Sequence, residues 1–106
     1  MSENNFIPSI QETELENGAM KLVNVAGQEI LLARIGNEVF GVSNRCLHMG
    51  CLLSKGKLDN YIVTCPCHGW TFDVRNGQHT RIKGKTLMSY KCKIKDGKIH
   101  VEIFDF

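Results

Sequence analysis

Residues 88–103 read Met88-Ser89-Tyr90-Lys91-Cys92-Lys93-Ile94-Lys95-Asp96-Gly97-Lys98-Ile99-His100-Val101-Glu102-Ile103. Met88, Tyr90, Cys92 and Ile94 alternate with Ser89, Lys91, Lys93 and Lys95, the period of a strand with one face buried and the other in water. Beyond Asp96-Gly97 the alternation resumes, with Ile99, Val101 and Ile103 against Lys98, His100 and Glu102. Two such runs joined by Asp-Gly predict a β-hairpin closed by a tight turn.

Working outward, residues 20–25, 29–35, 39–43, 61–64 and 71–74 also read as short strands. They are punctuated by Ala26-Gly27, Gly36-Asn37 and Asn76-Gly77. Helical periodicity is absent. About seven close-spaced strands predict an all-β fold, a small antiparallel sandwich or barrel. The acidic segment 11–17 reads as a surface loop. With 106 residues, one domain covering 1–106 is expected.

The composition excludes several classes of function. The longest unbroken apolar run is residues 30–33, far short of the roughly 20 needed to cross a bilayer. No basic region followed by an apolar one opens the chain, so a cytoplasmic location is expected. Asp59 and Asp73 stand apart without a nucleophile or base beside them, and Gly36-x-x-x-x-Gly41 lacks the Lys-Ser/Thr of a phosphate loop. No hydrolytic or nucleotide-binding function follows, and no small-molecule substrate is expected. Net charge is only +2, yet residues 75–98 carry eight Lys or Arg against Asp96 alone. This stretch reads as a solvated strand face, with no nucleic-acid or membrane partner expected.

The chemistry lies in segments 44–58 and 65–70, which fit no strand. Cys46-Leu47-His48 and, after sixteen intervening residues, Cys65-Pro66-Cys67-His68 place a cysteine and a histidine in each of two loops. Two soft thiolates and two imidazoles form a metal-ligand set. Converging turns held by strands can bring four such side chains to one point. A tetrahedral zinc and a two-iron cluster both suit this set. The single residue between Cys65 and Cys67 excludes c-type haem attachment and a thioredoxin-like pair.

The arrangement Cys46-x-His48, a gap, then Cys65-x-x-His68 followed by Gly69-Trp70-Thr71-Phe72-Asp73 closely resembles the Rieske iron–sulfur proteins. Cys51 and Cys67 extend the likeness to the subgroup whose two loops carry a disulfide. The resemblance implies antiparallel base strands with a small cluster-binding subdomain inserted at about 44–70. It also implies one [2Fe–2S] cluster with Cys46 and Cys65 on the inner iron and His48 and His68 on the outer, partly exposed iron. A Cys51–Cys67 disulfide would pin the ligand loops together. The implied function is electron transfer from a reductase to a terminal oxygenase or other oxidoreductase, docking near His48 and His68, without catalysis of its own. Two alternatives are a permanently bound electron-transfer subunit of a larger oxidoreductase and a zinc-stabilised interaction domain.

Neutral imidazoles in place of two thiolates make the cluster easier to reduce. Potentials in the family span roughly −150 to +300 mV, against about −400 mV for plant-type ferredoxins. Trp70 and Phe72 stand where high-potential members carry Ser and Tyr, and neither offers a hydroxyl to cluster sulfur. The lower part of the range is expected. Arg81-Ile82-Lys83-Gly84-Lys85 occupies the place of a proline-containing loop that covers the cluster in relatives. Leu47, Met49, Leu52, Leu53 and Trp70 make the ligand loops apolar, and an exposed apolar docking residue is expected among them. Cys92 reads as a core residue, and His79 and His100 as surface residues.

Overall fold

A computed structural model describes residues 6–46, 51–67 and 69–103. Among these are ten strands: β1 (Phe6–Gln11), β2 (Met20–Val25), β3 (Gln28–Ile35), β4 (Glu38–Ser43), β5 (Lys57–Asp59), β6 (Ile62–Thr64), β7 (Thr71–Asp73), β8 (Ser89–Tyr90), β9 (Cys92–Lys95) and β10 (Lys98–Glu102). They form three sheets, in the orders β1-β10-β9, β2-β3-β4-β8 and β5-β6-β7, with every pairing antiparallel. No helix among the described residues is long and apolar enough to cross a membrane.

The Asp96-Gly97 hairpin forms as expected. Ile99 faces Ile94 and Val101 faces Cys92 across β10 and β9. Asp96 and Gly97 both take the left-handed conformation that a two-residue turn of this hand requires, at φ 54° and 77°.

The alternating run before the hairpin is not one strand, however. Ser89 and Tyr90 pair with β4, opposite Val42 and Gly41, whereas Cys92 to Lys95 pair with β10. The chain leaves one sheet for another at Lys91, whose carbonyl accepts the Glu102 N–H at 2.8 Å. Gly41 leaves room for this crossing, since a Cβ there would lie 3.2 Å from the Cys92 sulfur. Met88 is consequently exposed rather than inward, and Glu102 is buried rather than solvated.

β3 divides the molecule. Ile30 and Leu32 enter one apolar core with Val23, Val25, Ile99 and Val101, between the first two sheets. Leu31 and Ala33, on the opposite face, enter a second core with Val42, Leu53, Val63, Phe72, Val74 and Leu87. Both faces are therefore covered, which is why the sequence of β3 is continuously apolar at 30–33. The second core carries β5, β6 and β7, which leave the base after β4 and rejoin it at β8.

Three expectations need correction. β1 was not anticipated, because Pro8 and a register shift between Pro8 and Gln11 obscure its alternation; as an edge strand it tolerates the proline. β5 begins inside the segment 44–58 that was read as strandless. Segment 11–17 is more than a surface loop: it holds a short 3-10 turn, Glu12–Glu14, and buries Leu15. The Arg34 guanidinium fastens it by donating to the Glu12 and Leu15 carbonyls at 3.0 and 3.1 Å.

Candidate metal centre

Each cysteine-bearing loop is closed at its base by backbone hydrogen bonds. The first is built on Asn44, whose side-chain Oδ1 accepts the Ser54 N–H at 2.9 Å and whose carbonyl accepts the Leu53 N–H at 2.7 Å. Arg45 then bridges Leu52, and the Cys46 N–H donates to the Cys51 carbonyl at 2.8 Å. In the second loop, between β6 and β7, the Cys65 N–H donates to the Trp70 carbonyl at 2.8 Å, directly above the Thr64–Thr71 pair.

A Cys51–Cys67 disulfide joins the two tips, with Cα atoms 6.5 Å apart. The Cys65 sulfur lies within 4.8 Å of both sulfurs of that bridge. Cys46 and Cys65 stand outside the disulfide, each 3% exposed, and share the apolar cluster of Leu53, Val63 and Phe72. Cysteine binds metal as a thiolate, and a buried thiolate is costly unless a cation neutralises it. One buried sulfur per loop, with the loops tied together, suits a metal centre reaching inward from the tips. His48 and His68, the candidate imidazole ligands, lie outside the described residues, as do Leu47 and Met49. Leu53 is buried and Leu52 and Trp70 are half-buried, so the exposed apolar residue expected among the five is none of these three, and the expectation rests on Leu47 and Met49.

The bridge closes a loop with a sequence separation of 16. Loop-closure entropy alone then gives it about 3 kcal/mol. Denaturant titration of the Cys51→Ser/Cys67→Ser protein is expected to show a loss of that order.

Phe72 is fully buried, and the Trp70 ring lies 6.3 Å from it. His79 completes the group, 4.8 Å from Trp70 and 5.2 Å from Phe72 between ring centres. It is half-buried rather than the surface residue expected, because its backbone pairs with Phe72 and its ring packs on Trp70 and Phe72. Its Nδ1 accepts the N–H groups of Arg81 and Ile82 at 3.0 and 3.2 Å, and its Nε2 is buried without a hydrogen-bond partner. Only the Asn76-Gly77 turn, which folds 78–80 back along 71–73, could have signalled this placement.

Burial, followed by the nearby Arg81 charge, holds the His79 pKa below its ordinary value of 6.5. A depressed folded-state pKa means that its stabilising contribution is complete above 6.5 and lost as pH falls below it. Hydrogen-exchange protection of the Arg81 and Ile82 amides, corrected for intrinsic rates, is expected to drop across that range.

Two disulfide-tied, cysteine-bearing loops flanking a β5-β6-β7 sheet, set against a two-sheet base, define a metal-binding β-domain. Residues 5–100 match the model of the Rieske [2Fe-2S] domain, and the chain belongs to that family. Membership settles the choice between zinc and diiron in favour of one [2Fe–2S] cluster. The chain is 33% identical to human apoptosis-inducing factor 3 over 89 residues, which is 83% of this chain but only 15% of that protein. It is 25% identical to ferredoxin CarAc of Metapseudomonas resinovorans over 91 residues, 84% of this chain and 85% of the relative. The solved ferredoxin of carbazole 1,9a-dioxygenase from Nocardioides aromaticivorans IC177 superposes with a TM-score of 0.87 at 25% identity, covering 93% of this chain and 98% of that one.

Proposed function

We propose that the protein is a one-electron carrier, a single Rieske domain over 1–106 whose cluster-binding part occupies about 44–70. Cys46 and Cys65 hold the inner iron, and His48 and His68 the outer one. The observation that carries this reading is the pair of buried cysteines, one in each of two disulfide-tied tips, in a chain of this family. The [2Fe–2S] cluster, when bound, accepts and releases one electron. Leu53, Val63 and Phe72 keep water from the cysteine side, and the Cys51–Cys67 bridge keeps the tips from separating.

The electron passes from a reductase to a terminal oxygenase or comparable oxidoreductase, a role supported by the carbazole-dioxygenase ferredoxin likeness, and the proposed location is the cytoplasm. The protein itself transforms no small molecule. A second reading is a small electron-transfer subunit permanently bound in a larger oxidoreductase complex, in keeping with relatives of which the matched part is only a fraction, 15% of apoptosis-inducing factor 3. Gel filtration of native extract separates the two, since a diffusing carrier elutes alone.

The decisive experiment is an EPR spectrum of dithionite-reduced protein followed by redox titration. Colourless protein without inorganic sulfide after anaerobic reconstitution would refute the reading. Trp70 and Phe72 offer no hydroxyl to cluster sulfur, which supports a midpoint in the lower part of the family range. Trp70→Ser with Phe72→Tyr is expected to raise the midpoint in the same titration, and an unchanged value would remove the hydroxyl argument.

A further inference from the structure

Residues 80–86 are exposed throughout and carry Arg81, Lys83 and Lys85 without an acid. No carboxylate pairs with these three cations among the described residues. The segment is nonetheless held firmly at its base. Gln78 bridges Thr86, and the His79 N–H donates to the Lys85 carbonyl at 2.8 Å. The His79 ring, packed on Trp70, takes the Arg81 and Ile82 amides, and the Thr80 and Thr71 hydroxyls bond to each other. A cationic loop is thus fixed beside the second ligand loop through Trp70, two residues beyond His68. At its tip Ile82 is 41% exposed.

The other basic residues of the 75–98 stretch are placed otherwise. Arg75 is paired with Asp73 at 2.7 Å, and Lys93 lies over the Phe6 ring at 4.2 Å. Lys91, Lys93, Lys95 and Lys98 belong to or adjoin the β1-β10-β9 sheet, which contains neither ligand loop.

We propose that the 80–86 loop is the docking surface for an acidic redox protein, one that presents carboxylates around its own electron-transfer centre. Arg81, Lys83 and Lys85 attract those carboxylates, and Ile82 supplies an apolar contact within them. Because the loop is fixed before contact, little ordering cost is left for a small, transient interface. Charge so placed speeds encounter and orients it toward the second ligand loop. This inference rests on the carrier reading above.

Small redox ions of opposite charge test it without the partner. Reduced, cluster-loaded protein is mixed in a stopped-flow instrument with hexacyanoferrate(III), an anion, or hexaammineruthenium(III), a cation. Each takes one electron and leaves as its divalent-metal form, with no proton moved. Midpoint potentials are measured alongside, so that rates are compared at equal driving force. At low salt, Arg81→Gln/Lys83→Gln/Lys85→Gln is expected to slow the anion roughly tenfold and speed the cation. Both differences should vanish near 1 M salt, where the screening length is about 3 Å. Lys91→Gln/Lys93→Gln/Lys95→Gln removes the same charge from the other sheet and should change the rates far less. If the two triple variants behave alike, the docking surface is refuted while the carrier reading stands. Protein without a cluster gives no electron to either ion, which overturns the carrier reading and this inference together.

Discussion

Cys65→Ala protein is expected to purify colourless, with iron and acid-labile sulfide near zero and no EPR signal after dithionite. Cys92→Ala should retain all three at the wild-type level. Cys65 is buried and Cys92 half-buried, and the contrast comes from placement. Cys65 sits at the end of β6 beside the disulfide, in the core that also holds Cys46. Cys92 lies in β9 against the other core, where its sulfur meets the Tyr90 carbonyl at 3.6 Å and burial pushes its pKa up to about 12. A thiol so reluctant to ionise is a poor metal ligand. Retention of a full cluster by Cys65→Ala would remove that residue from the ligand set.

Phe72→Ala is expected to cost about 3–5 kcal/mol, the range for a fully buried phenylalanine. Domains of this kind have a total stability of roughly 5–15 kcal/mol, so the loss is a large share. The ring is at 0% exposure where β7, Trp70 and His79 meet. Its removal leaves a cavity under both the second ligand loop and the base of the 80–86 loop. Denaturant titration of the cluster-loaded protein checks the figure. A change below 1 kcal/mol would mean that the surrounding side chains collapse into the space.

The two loops were legible because metal chemistry restricts residue type and spacing together: sulfur and imidazole donors at Cys46, His48, Cys65 and His68 admit few centres, and the family likeness chose among them. The 96–97 turn and the apolar run of β3 were legible because backbone conformation and burial leave local marks. Partnership between strands leaves none. The alternation through 88–95 reports which side chains share a side, but nothing local says that Tyr90 pairs with β4 and Cys92 with β10. His79 was misread for the same reason, since its burial depends on Phe72 lying opposite. The hidden strand β1 shows a third limit, where Pro8 and a shifted register erase the period that sequence reading depends on.

The wall formed by β3 also bears on how the chain finds its register. In a strand with one wet face, a slip of one residue drives apolar groups into water and is rejected at once. Here Ile30 and Leu31 would merely trade places between two oily interiors, so side-chain pattern discriminates weakly. The task falls to the ends: the tight bend at Ala26 and Gly27, with φ of 53° and 81°, and the Arg34 clamp on the 12–15 backbone. Lengthening that bend by one residue should yield misthreaded chains rather than merely weakened ones.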